Sequence, residues 1–142
     1  MRVSLWAVSL ALLITAATAA ADGPVERTFN APVDRVWSTT EAVLKYLGWD
    51  VDKIDRGIGF ITTDSRRVEG DNFGVYEKAL RHRLRLHLKA AGENRTTVSV
   101  ERTVFKRERI LFVDKDEPVT DTTQTVEKAL LEAIGEAIER AS

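Results

Sequence analysis

Five basic side chains alternate along one stretch of the chain, Arg81, Arg83, Arg85, His87 and Lys89, with Leu84, Leu86 and Leu88 between them. A β-strand sends successive side chains to opposite faces, so all five basic residues share one face and the leucines the other. A basic array of this kind can dock an anionic partner such as an acidic protein surface or lipid headgroups. It is equally the wet face of a half-covered sheet, where Arg85 finds a cross-strand partner in Glu101 and arrayed charge deters edge pairing. His82 and Arg102 raise a second question, because both fall on the apolar parity of their strands. In one reading they hold the polar head of a lipid-like small molecule between sheet and C-terminal helix. In the other they lie where the sheet runs past its helices, or a bulge turns them to water. A side chain cluster of Trp37, Phe60 and Ile134 closing that space would exclude the ligand.

A third feature is Ile110-Leu111-Phe112-Val113, four apolar residues between Arg107-Glu108-Arg109 and Asp114-Lys115-Asp116-Glu117. They read as the end of a long strand packed at an edge, with an apolar tip presented to a partner, centred on Phe112, as the alternative. Catalytic patterns are not found: no G-x-S-x-G, no phosphate-binding glycine loop, no H-E-x-x-H and no EF-hand loop. The two histidines, His82 and His87, stand an odd number of positions apart on one strand and face opposite sides, so they cannot share a metal unless a bulge intervenes. No residue is assigned a catalytic, metal-binding or cofactor-binding role. The chain is read as a non-enzyme.

Composition sets the frame. The chain has 142 residues, 21 Lys plus Arg against 22 Asp plus Glu, and no cysteine. A formal net charge of −1 excludes a globally basic nucleic-acid binder, and the lack of aromatics interleaved on the basic face, Phe105 excepted, argues further against nucleic acid. The absence of cysteine excludes a disulfide scaffold, a thiol nucleophile and a lipid-modified N-terminal cysteine. Residues 1–21 read as a signal peptide: Arg2 supplies charge, Leu5 to Ile14 an apolar run, and Ala17-Thr18-Ala19 and Ala19-Ala20-Ala21 both fit the A-x-A cleavage rule. The expected location is the periplasm or beyond it, with no integral membrane segment left after cleavage. Residues 22–142 are expected to form a single domain.

The elements that position these residues follow from periodicity. Val25 to Phe29 reads as a strand. Asn30 and Pro32 open a helix whose apolar stripe is Val33, Val36, Trp37, Thr40, Val43, Leu44 and Leu47, with Gly48 ending it. Trp49 to Asp55 and Ile58 to Asp64 read as strands about a turn at Arg56-Gly57. Val68 to Tyr76 is expected to be a loop. Two long strands follow, and keeping Leu84, Leu86 and Leu88 on the face of Val98, Val100 and Val104 demands an odd-length turn, Gly92-Glu93-Asn94, with Asn94 in a left-handed conformation. That register sets Arg85 opposite Glu101, Arg83 opposite Thr103 and Arg81 opposite Phe105. Asp121-Thr122-Thr123-Gln124 has the form of a capping box before a helix striped by Val126, Leu130, Ile134, Ala137, Ile138 and Ala141. The expectation is an α+β two-layer sandwich, β-α-β-β-β-β-α, with an antiparallel sheet of about five strands and two helices on one face.

Ala31-Pro32-x-x-x-Val36-Trp37 at the start of the first helix resembles the START and Bet v1 helix-grip superfamily. The longer run from Val36-Trp37 through Leu47-Gly48-Trp49 to Gly59-Phe60-Ile61-Thr62-Thr63 is similar to the helix-grip repeats of the BamC-type outer-membrane assembly lipoproteins. The first resemblance implies enclosure of a hydrophobic ligand, and the second a place in envelope or outer-membrane protein assembly, with an envelope protein as partner. BamC-type proteins are anchored through a lipobox cysteine and carry two such domains. The matching positions are packing residues and carry no functional residue across.

Overall fold

A computed structural model describes residues 23–68, 80–119 and 123–141. The expected signal peptide, most of the expected loop from Val68 to Tyr76, and Asp121 and Thr122 of the expected capping box lie outside the described residues. Within them the chain is α+β. Strand β1 (Val25–Phe29) leads to helix α1 (Val33–Tyr46), then to β2 (Val51–Asp55), β3 (Phe60–Thr63), the short β4 (Arg66–Arg67), β5 (Leu80–Gly92), β6 (Arg95–Ile110), β7 (Val113–Val119) and helix α2 (Thr125–Arg140). The sheet runs β1-β6-β5-β3-β2, all pairs antiparallel, with β4 added beside β5 and β7 beside β6. Seven strands stand where about five were expected, the additions being β4 and β7.

The long central hairpin has the expected register: Arg85 opposes Glu101, Arg83 opposes Thr103 and Arg81 opposes Phe105. Its turn differs from expectation. A bulge falls between Ala90 and Gly92, and the positive φ, 148°, is at Gly92 and not at Asn94. The odd residue needed to keep apolar opposite apolar is therefore absorbed in the strand, as a glycine bulge.

Helix α1 ends as the sequence indicates. Gly48 has φ 82°, its N–H donates to the Lys45 carbonyl, and the Trp49 N–H donates to the Leu44 carbonyl, the paired bonds of a Schellman motif. That turn folds Trp49 back into the core, so β2 begins at Val51. Its expected stripe is buried at Val36, Trp37, Thr40, Val43 and Leu44, whereas Leu47 is exposed beyond the last turn. Helix α2 starts at Thr125 with no side-chain cap and buries Glu127, Leu130, Leu131, Ile134, Gly135 and Ile138.

The core lies between one face of the sheet and the two helices. Leu84, Leu86, Val98, Val100, Ile61, Val36, Leu44 and Ile134 are all fully shielded from solvent. Three threonine hydroxyls buried in the same layer are hydrogen-bonded. Thr40 donates to the Val36 carbonyl, Thr96 to the Ala31 carbonyl, and the Thr63 hydroxyl accepts the Leu84 N–H. Phe60 is not part of this layer. It pairs with His87 and stacks on that ring at 4.4 Å on the opposite face, so Ile61, opposite Leu86, fills the core position expected of Phe60.

Candidate interaction surface

The outer face of β5 carries the basic stripe, and the structure gives each member a different setting. Arg83, Arg85 and Lys89 are exposed, while Arg81 and His87 are half-buried. Arg81 is tied down by hydrogen bonds from its guanidinium to the Ser65 hydroxyl and carbonyl at 2.9 and 2.6 Å. Arg85 lies over the Phe60 ring at 4.4 Å, and Arg83 over the Phe105 ring at 4.9 Å. Arg107 approaches the same Phe105 ring at 5.4 Å. Phe105 is thereby buried although it points away from the core. The expected Arg85–Glu101 ion pair is not made among the described residues, although the two face each other across the ladder. The guanidinium turns to the aromatic ring instead, a geometry in which ring quadrupole and cation attract.

Two aromatic rings thus sit within the basic face, where Phe105 alone was expected. Phe60 went unrecognised because both parities of the run from Ile58 to Thr63 hold apolar residues. Only the pairing of Phe60 with His87 settles which face it takes.

His82 and Arg102 are brought together and buried, neither beyond the helices nor turned to water. They are diagonal neighbours across the β5–β6 ladder, and Arg102 meets the first turn of α2. An Arg102 Nη meets the His82 Nδ1 at 3.4 Å, the other Nη donates to the Thr123 carbonyl at 3.1 Å, and Nε faces the Glu127 carboxylate at 3.4 Å. The Arg102 and Glu127 side chains are 3% and 8% exposed. The His82 ring is buried against Trp49, ring centroids 4.8 Å apart, and the Arg66 guanidinium lies over the Trp49 ring at 3.7 Å. Arg102 is therefore held by the start of the helix, and His82 is buried between Arg102 and Trp49, not left beyond the helices or turned to water. Glu127 went unnoticed in the sequence because an acid in a helical first turn reads as an ordinary complement to the dipole. Its spacing from Leu130, Leu131 and Ile134 was the available signal that it faces inward.

The third feature combines the end of a long strand with an exposed turn. β6 runs on to Ile110, turns at Leu111 and Phe112, and returns as β7. Phe112 is 90% exposed and Leu111 85%, so the segment ends a long strand as expected but does not pack at an edge. The stem below is laced by charge: Arg107 makes a two-pronged contact with Asp116 at 2.8 and 3.1 Å, and Lys106 meets Glu108 at 2.6 Å. The Arg107 hydrogen bond holds the Asp116 carboxyl below its ordinary pKa, with Arg83 and Arg81 adding to the effect.

His82 and His87 face opposite sides as their spacing requires. Among the described residues no group of three or more His, Asp or Glu side chains is placed to hold a metal ion, and no helix is long and apolar enough to cross a membrane. A scan against protein-family models finds no match to the chain, and a search of curated proteins finds none either.

Proposed function

We propose that the chain is a non-enzymatic, exported binding module of helix-grip type. It acts in the periplasm, and its outer sheet face docks an anionic surface on an envelope protein, in keeping with a role in envelope or outer-membrane protein assembly. The observation that carries this reading is the seating of Arg83 and Arg85 on Phe105 and Phe60. A guanidinium stacked on a ring loses rotamer freedom before any partner arrives, while its in-plane N–H donors remain directed outward to meet carboxylates. Lys89 extends the same face. A merely solvated sheet face has no need of aromatic platforms beneath its arginines.

The alternative, a small carrier with a lipid-like ligand between sheet and α2 held by His82 and Arg102, draws less support. Leu84, Leu86, Val100, Leu130 and Ile134 fill that layer, each no more than 1% exposed, and Arg102 is already engaged by Glu127 and Thr123.

The test is photo-crosslinking in a Gram-negative periplasm from a photoreactive residue in place of Thr103, which lies directly across from Arg83. A discrete protein adduct is expected, lost in R83E/R85E while the melting temperature of that variant stays within the range of surface substitutions. An adduct unaltered by charge reversal overturns the reading. The denatured mass of the chain recovered from the same cells reports removal of the signal peptide.

A further inference from the structure

Four consecutive apolar side chains stand in water at the far end of the β6–β7 ribbon, with Ile110 51% exposed, Leu111 85%, Phe112 90% and Val113 66%. Past Lys106, which pairs with Leu80, β6 is paired only with β7 among the described residues. The two turn residues have φ of 49° and 72°, the left-handed backbone of a two-residue primed turn, in which Asn-Gly relieves the strain. Leucine and phenylalanine are poor choices for such a turn in conformational terms. Reversing the chain does not explain them, whereas presenting their side chains does.

The stem beneath the tip is closed on itself electrically. Lys106, Arg107, Arg109 and Lys115 are matched by Glu108, Asp114, Asp116 and Glu117, and the register sets Arg107 against Asp116, Glu108 against Lys115 and Arg109 against Asp114. Segments that dock on anionic bilayers carry a surplus of cations, and this one carries none. The tip instead suits an apolar recess whose rim has one charge of each sign.

The same chain has such a recess. A groove of about 900 Å³ runs between α1 and α2, with Ala42, Val43, Tyr46 and Leu47 on one wall and Ala133 and Ala137 on the other. Glu136 and Arg140 stand beside it, one carboxylate and one guanidinium, where the collar of the tip has Arg109 and Asp114. The tip does not occupy the groove of its own chain, since Leu111 and Phe112 are almost fully exposed.

We propose that the Leu111-Phe112 tip of one copy seats in the α1–α2 groove of a second copy. The contact is head-to-tail, so each added copy brings a fresh tip and a fresh groove, and assembly proceeds to a ring or a filament. It uses neither Arg83 nor Arg85 and stands apart from the function proposed above.

Sedimentation velocity on the chain recovered from the periplasm, over a wide range of concentration, tests this. The weight-average mass is expected to rise with concentration in the parent and in R83E/R85E. It should remain that of a monomer in L111N/F112G, which suits the turn, and in A42E, which suits an exposed helix position. Circular dichroism checks that both fold. An equimolar mixture of the two silent variants restores one intact tip and one intact groove and should form a 1:1 complex that grows no further. A parent that is monomeric throughout, a mixture that stays monomeric, A42E associating like the parent, or R83E/R85E failing to associate would each overturn the proposal.

Discussion

The Arg102 guanidinium and the Glu127 carboxylate face each other at 3.4 Å with both side chains more than nine-tenths buried, one on the sheet and the other in the first turn of α2. Neither ion would be tolerated there alone, because removing a charge from water costs several kcal/mol unless a partner offsets it. The pair therefore fixes where the helix begins to pack, through Arg102 contacts that also reach Thr123 and His82.

Glu127→Ala strands a buried guanidinium and is expected to lower stability by about 3 kcal/mol or more, read as a fall in the urea midpoint. Replacing both partners, R102M/E127L, should recover most of that loss, since a buried ion pair exchanged for apolar groups of similar volume is often neutral or stabilising. A single variant as stable as the parent would show that the carboxylate is not compensating Arg102.

Gly59 has φ 81°, and a Cβ built there would run into the Leu88 carbonyl oxygen. The same glycine receives the Leu88 N–H on its carbonyl at 2.8 Å, so the backbone cannot retreat without opening the β3–β5 junction. Gly59→Ala is expected to cost about 3 kcal/mol or more. Gly57→Ala, two residues earlier, meets only the movable end of Asp55 and should change stability by less than about 1 kcal/mol. Equilibrium denaturation of the two variants side by side decides the point.

The ribbon below the tip should be acid-labile. The hydrogen bond from Arg107 depresses the Asp116 pKa, and that from Lys106 depresses the Glu108 pKa. A carboxyl whose pKa is lower folded than unfolded adds stability that is complete above its ordinary value, about 3.9 for aspartate, and is lost as pH falls through the depressed value. Hydrogen-exchange protection of the ribbon amides, corrected for intrinsic rates, should hold steady from neutral pH and then drop in that acid window. Asp116→Asn should lose part of the protection at neutral pH and flatten the acid dependence. Protection that ignores both pH and the substitution would contradict the role given to the pair.

Much of the layout could be read from residue order because several local signals agreed. Leu84, Leu86 and Leu88 against Val98 and Val100 fix the shared face, and the short turn at Gly92-Glu93-Asn94 narrows the register to the one formed. Gly48 closes α1 as its position implies. Strand β7 was missed for a physical reason: Asp114 to Glu117 has the wrong composition for strand propensity, and is held as a strand by pairing with the charges of β6. The turn at Leu111 and Phe112 escaped notice for a similar reason, since nothing in those two residue types announces a left-handed backbone. The basic face was legible from alternation alone, yet its aromatic support was only half seen. Phe60 shares a run with Ile58 and Ile61 in which period two leaves the buried face undecided.

The placing of β1 bears on the order of events during folding. Val25 pairs with Val100 and Phe29 with Thr96, so β1, the first strand among the described residues, has its sheet partner in the second half of the sequence. Whether the chain leaves a ribosome or a translocation pore, it emerges N-terminus first, and β1 must wait unpaired until β6 arrives. Such long-range pairing slows folding. The sheet cannot close on a partial chain, and the fold locks only once most of the polypeptide is free on one side.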